Sequence, residues 1–179
     1  MTARFSERME QELNLQMTRE AEASQLYLSF ASWAEVQGFP GIAKFLFHHS
    51  DEERVHMLKF IAFINQRGGH CKINALGAPP QDPQTLHELF EKIREQEIKN
   101  SNEINKIVEI GYEEKDYPTN NFLQWFVQEQ LEEEALATQL LDQLKIIGEE
   151  SPNRGGLYEF DRNIANLHDA RVAEAGGES

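Results

Sequence analysis

Asp51-Glu52-Glu53-Arg54-Val55-His56 lies in the middle of a segment with helical periodicity. Residues three apart share a helix face, so Glu53 and His56 point the same way as Phe45, His49, Phe60 and Ile64, which are spaced as core residues are. An ionised carboxylate turned toward a core is costly unless a cation meets it. The stretch therefore predicts a buried cationic partner for Glu53, and the rest of the chain has to supply the surroundings.

The 179 residues suffice for one domain with a substantial core, so residues 1–179 are read as a single domain. With 17 Lys and Arg against 31 Asp and Glu, the formal net charge is −14. That balance argues against nucleic acid or an anionic membrane as partner and makes cations the natural guests. The single cysteine, Cys71, has no internal disulfide partner and suits a reducing compartment as a bystander thiol. No apolar run follows the polar start, and no stretch is apolar for long enough to span a bilayer, so a cytoplasmic location is expected.

Gly and Pro clusters divide the chain into four long segments and a short one, and the expected class is all-α. The first helix should run from near Ser6 to about Gln37, with Leu13, Met17, Glu20, Ser24, Tyr27 and Ala31 inward; the second runs from Ile42 to about Arg67. Gly68-Gly69 stops the second helix, and from His70 through Pro79-Pro80 to Pro83 lies a Gly- and Pro-rich connection too long for antiparallel neighbours, which predicts a crossover along a bundle. Thr85-Leu86-His87-Glu88 is a capping box opening the third helix, whose inward stripe is Phe90, Ile93, Glu97, Asn100, Ile104 and Ile107. Asp116-Tyr117-Pro118-Thr119 turns into a fourth helix ending near Gly148. A short helix over about 156–170 carries Leu157, Phe160, Ile164 and Leu167 before the polar tail Gly176-Gly177-Glu178-Ser179. Long helices of more than about 25 residues, roughly 40 Å each, predict a four-helix bundle with the long crossover between the second and third.

Each long helix places an oxygen ligand among its apolar positions: Glu20 on the first, Glu53 with His56 on the second, Glu97 on the third, Gln130 with Glu133 on the fourth. A surface glutamate at the edge of a stripe explains any single one. Four helices doing so near their middles predict convergence on one pocket of several carboxylates and one imidazole. That donor set suits iron in either oxidation state, with manganese or zinc as alternatives, and fits copper or an iron–sulfur cluster poorly. Along the fourth helix Glu129, Glu132 and Glu133 repel one another with no Lys or Arg three or four residues away. A solvated acidic face accounts for the run, and so does a second metal position shared with Glu52. Arg94, three residues before Glu97, is an available ion partner that weakens Glu97 as a ligand. His49, one turn before Glu53, reads as a hydrogen-bonded core histidine or a neighbour of the ligands, while His48, His70, His87 and His168 read as surface or loop residues.

These residues resemble the prokaryotic non-haem ferritins over nearly the whole chain. The likeness rests on Glu20 with Tyr27, Glu53-x-x-His56, Glu97, the Asp116-Tyr117-Pro118 turn, and Phe122-Leu123-Gln124-Trp125-Phe126 leading into Glu129-Gln130. It implies a ferritin-like bundle, a homo-oligomeric shell of twenty-four subunits, and storage of ferric mineral after oxidation of Fe(II) by dioxygen or peroxide. By resemblance, Glu20, Glu53 and His56 hold the first iron of a ferroxidase diiron centre. Glu53 bridges to a second iron held with Glu97 and Glu133, and Gln130 lies beside the pair as a weak, exchangeable ligand. Glu52, Glu129, Glu132 and Glu133 match a third iron position. Tyr27, with Trp125 near it, matches an aromatic residue that bonds to Glu97 and donates electrons, although a core tyrosine bonded to a buried carboxylate looks the same.

The sequence departs from neighbouring families at informative places. Bacterioferritin and rubrerythrin repeat the Glu-x-x-His pair on the fourth helix, whereas Gln130-Leu131-Glu132-Glu133 ends in a carboxylate. Bacterioferritin carries its haem-ligating Met where Arg54 stands, so haem is not expected. Rubrerythrin's additional iron domain needs four thiolates. Animal ferritins line their threefold iron channels with acidic residues where this chain has Asn120, Asn121 and Leu123. Two rival functions remain: a rubrerythrin-type diiron oxidase or peroxidase that keeps its metals without mineral, and a metal-free structural bundle whose buried carboxylates are met by Lys or Arg.

Overall fold

The computed structural model describes residues 4–148 and 154–167. Five helices and no strand are found among them: α1 Glu7–Val36, α2 Pro40–Gln66, α3 Leu86–Glu113, α4 Tyr117–Ile147 and α5 Arg154–Ile164. The last helix, expected over about 156–170, starts at Arg154 and ends at Ile164, where a turn at 165–166 breaks its ladder; residues from 168 on, with the polar tail, lie outside the described residues.

Local chemistry accounts for the helix ends. The Ser6 hydroxyl accepts from Met9 N at 3.0 Å and so caps α1. Thr85 caps α3 by accepting from Glu88 N at 3.1 Å, and Glu88 reaches back to Gln84 N at 2.7 Å, one residue earlier than the usual reciprocal partner. Asp116 caps α4 ahead of Pro118, which stands where no helical donor is needed. Gly38 and Gly68 follow α1 and α2 with φ of 86° and 82°, a left-handed turn that disfavours any side chain. For α2 no cap is supplied locally, because Phe39 stands at that position. Asp161 of α5 takes the role from a distance, its carboxylate accepting from Gly41 N at 3.1 Å and Ile42 N at 2.8 Å. The packing there is close: a Cβ on Gly41 would lie 1.8 Å from the Asp161 carbonyl oxygen.

Side-chain pairings establish the topology. Ser24 Oγ donates to the Ser50 carbonyl while Glu20 faces His56, so α1 and α2 are antiparallel. Tyr27 pairs with Glu97 and Arg8 with Glu113, so α1 and α3 are antiparallel too. It follows that α2 and α3 run the same way, and residues 67–85 must travel the length of the bundle between them. Asn14 of α1 holds this crossover, accepting from Lys72 N at 2.6 Å and donating to the His70 carbonyl at 3.4 Å. Buried Cys71 tucks into the core beneath it.

Two apolar clusters fill the interior. Phe30, Ala34, Leu46, Leu89, Phe90 and Leu140 belong to one, with α5 packed on it through Phe160 and Ile164. Met9, Leu13, Met17, Phe60, Ile64, Ile107 and Phe126 belong to the other. Between them along the helices stand Glu20, Glu53, His56, Glu97, Gln130 and Glu133, all buried.

Candidate metal centre

Helical periodicity sets these six side chains inward, and the crossing of the four helices sets them against one another. Oxygen atoms of Glu20 and Glu53 and a ring nitrogen of His56 all lie within 4.8 Å of one another. His56 Nδ1 is 3.3 Å from Glu53 Oε2 and 3.8 Å from Glu20 Oε2. These same three atoms, Glu20 Oε2, Glu53 Oε2 and His56 Nδ1, are buried without any hydrogen bond. Orphaned buried polar atoms are rare in proteins, and three aimed at one point form a donor set for a cation.

Glu97 falls outside this trio, but its charge acts on Glu53 and that of Glu133 acts on it. Glu97 accepts from the Tyr27 hydroxyl and, at 3.1 Å, from Gln130 Nε2. Arg94 is not among its partners, so the local spacing that favoured an ion pair there is overridden by tertiary packing. Among the described residues, neither Glu20, Glu53 nor Glu97 makes an ion pair with Lys or Arg. The proton affinities register that lack. Burial, and then the charge of Glu53, hold the Glu20 carboxyl well above the usual carboxylate range. Burial and then Glu97 do the same to Glu53, and burial with Glu133 pushes Glu97 up to about 7. Tyr27 is also raised, by burial and then Glu97, so its phenol stays protonated and donates.

A second group joins His49, Glu52 and Glu133, again with ligand atoms within 4.8 Å of one another. His49 Nδ1 lies 3.4 Å from Glu52 and 3.5 Å from Glu133, and the ring stacks on Tyr27 at 5.4 Å. Sequence reasoning gave His49 a lesser part, because its pairing with Glu133 crosses between helices and leaves no spacing to read. Glu129 and Glu132 fall outside both groups, and exposed Glu132 accepts from Gln128 Nε2 at 3.0 Å. Lys59 of α2 reaches the field of Glu129, a cation that spacing along α4 cannot show. Its ammonium sits over the ring of Trp125, which meets His56 edge-on at 5.2 Å; the ring beside Tyr27 is that of His49. The side chain of Gln130 is engaged at both ends: its oxygen accepts from Asn100 Nδ2 at 3.3 Å and its nitrogen faces Glu97. Asn120 and Leu123 are buried inside the subunit, so of the three positions compared with the animal channel residues only Asn121 is exposed.

The model of the ferritin-like domain matches residues 10–147, which contain all of these ligand candidates. The chain belongs to the ferritin family. A probable bacterial non-heme ferritin-like protein of Haemophilus influenzae is 41% identical over 163 residues, covering 91% of this chain and 97% of that protein. A bacterial non-heme ferritin of Campylobacter jejuni is 41% identical over 155 residues, covering 87% and 91%. Among solved structures, an open pore ferritin from the archaeon Archaeoglobus fulgidus superposes with a TM-score of 0.86 at 35% identity, covering 90% of this chain and 98% of that one. The bundle with its short C-terminal helix is thus the ferritin fold. Among the described residues, no helix of this ferritin is long and apolar enough to cross a membrane.

Proposed function

We propose that this chain is an iron-storage ferritin that oxidises Fe(II) at a paired site and deposits the ferric product inside a homo-oligomeric shell. The observation that carries the reading is the trio of buried, unbonded ligand atoms on Glu20, Glu53 and His56. Membership of the ferritin family and the relatives named non-heme ferritin support iron as the cation. Glu20, Glu53 and His56 take the first Fe(II); Glu53 also faces the second, which Glu97 and Glu133 hold. Each iron gives up one electron, and dioxygen or peroxide takes the pair. The carboxylates supply charge that matches two divalent ions in a site with little water. His49, Glu52 and Glu133, with Glu129 and Glu132 further out, offer a further iron position toward which product can move.

A twenty-four-subunit shell is supported by the family and by the ferritins among the solved structures it resembles. The cytoplasm is the proposed location, in keeping with the lone thiol of Cys71.

Aerobic titration of metal-free protein with Fe(II), following ferric absorbance and protein-bound iron, tests the reading. Oxidation continuing far beyond the few ions of the paired site, with iron held soluble by the protein, is expected. Arrest at about two ions per chain would instead identify a diiron oxidase that retains its metals, and no accelerated oxidation would remove the ferroxidase assignment.

A further inference from the structure

A chain of three side-chain amides runs from the flank of the bundle into the metal centre. It starts at Arg19, 26% exposed, which is ion-paired to Glu103 of α3 at 2.8 Å. Arg19 Nη1 donates to Gln16 Oε1 at 3.2 Å. Gln16 Nε2 donates to Glu20 Oε1 at 2.6 Å and to Asn100 Oδ1 at 2.5 Å. Asn100 Nδ2 donates to Gln130 Oε1 at 3.3 Å, and Gln130 Nε2 donates to Glu97 Oε2 at 3.1 Å and to the Glu97 carbonyl at 3.2 Å. Gln16, Asn100 and Gln130 are all buried.

The direction of this chain is determined by its ends. A guanidinium can only donate, so Gln16 must turn its oxygen outward to Arg19 and its nitrogen inward. The backbone carbonyl of Glu97 can only accept, so Gln130 must turn its nitrogen to Glu97. Asn100 then has one orientation that satisfies both neighbours. Reversing any amide would set donor against donor or acceptor against acceptor in a buried place, where an unpaired polar group is costly.

We propose that Gln16, Asn100 and Gln130 are positioning residues, a one-way amide chain oriented by Arg19 that fixes the carboxyls of Glu20 and Glu97 across the two metal positions. The inference rests on the paired-site reading above and deepens it. It assigns Gln130 to the second position through its N–H group on Glu97, with its oxygen committed to Asn100 and not offered to the metal.

Anaerobic titration of the metal-free, full-length protein with Co(II), followed by visible absorption, tests the assignment independently of iron oxidation. Wild type is expected to take two ions at the paired site; failure to do so would count against the paired site itself and not against the amide chain alone. Asn100→Leu is expected to weaken the second ion about tenfold and shift its absorption, with the first ion changed by less than about twofold. In a Gln130→Leu background, Asn100→Leu should add almost nothing, because the two act through one contact on Glu97. Unchanged or tighter binding of the second ion in Asn100→Leu overturns the proposal, tighter binding meaning that the released Gln130 oxygen serves as a ligand. Losses that multiply independently in the double variant overturn it too. Arg19→Leu reads the same chain from its partly exposed end should Asn100→Leu not fold. Weaker binding of the second ion, recovered in Arg19→Lys, supports the chain, and unchanged binding refutes it.

Discussion

Raising the pH of the metal-free protein from about 5 to about 8 should destabilise it, and Glu97 sets the scale. Its carboxyl is pushed from 4.5 to about 7 by burial and by Glu133. Below the unfolded value both states hold the proton. Between 4.5 and about 7 the folded state alone retains it, so the stability associated with the neutral carboxyl is lost as pH climbs through this window. The displacement corresponds to a loss on the order of 3 kcal/mol for this one group. Glu20 and Glu53, raised in the same direction, add to the loss. Glu88 and Glu103 have lowered values and act with the opposite sign near and below 4.5, outside the window. Thermal unfolding in the presence of a chelator, compared between wild type and Glu97→Gln, isolates the effect. The variant should follow a flatter profile, and Zn(II) should flatten that of the wild type because the cation replaces the proton among the same carboxylates. A wild-type stability that rises from pH 5 to pH 7 relative to Glu97→Gln would refute the claim that these carboxyls lack a cationic protein partner.

Further outcomes follow from the same contacts. Glu53→Gln removes the charge proposed to serve both metal positions, so rapid Fe(II) oxidation should fall at least about a hundredfold; stopped-flow absorbance retaining wild-type rates would exclude Glu53 from the centre. Gln130→His puts an imidazole where a neutral amide now bonds to Glu97, and should slow the transfer of oxidised iron from the paired site to the cavity; release as fast as wild type in a pulse-chase of iron would sink that expectation. Asp161→Ala leaves the first donors of α2 without their cap, at a cost of about 2 kcal/mol. Hydrogen exchange should then quicken at Gly41 and Ile42, and unchanged protection would show that α5 does not hold this end.

Apolar periodicity and turn chemistry were sufficient to read the helices. Gly38-Phe39-Pro40-Gly41, Gly68-Gly69 and Asp116-Tyr117-Pro118 mark the breaks because they act on their own backbone, and the boundaries of the four long helices agree to within a residue or two. The inward stripe of α3, from Phe90 to Ile107, is buried at every position read from its spacing. Groups whose role depends on a partner in another helix were read less well. Arg94 looked like the partner of Glu97, but Tyr27 and Gln130 hold that carboxyl instead. Lys59 was invisible from the acidic run of α4, and so was the edge-on contact of Trp125 with His56.

That each of the four long helices carries a carboxylate, imidazole or amide on its apolar face could be read from the sequence alone, since side-chain direction along a helix is a local property with a known period. Which of these side chains meet, the joining of His49 with Glu52 and Glu133, and the bond from Arg19 to the amides reaching Glu97 come from the fold. Those facts depend on rotation and offset between helices, which packing of the whole bundle sets and no spacing along one helix encodes.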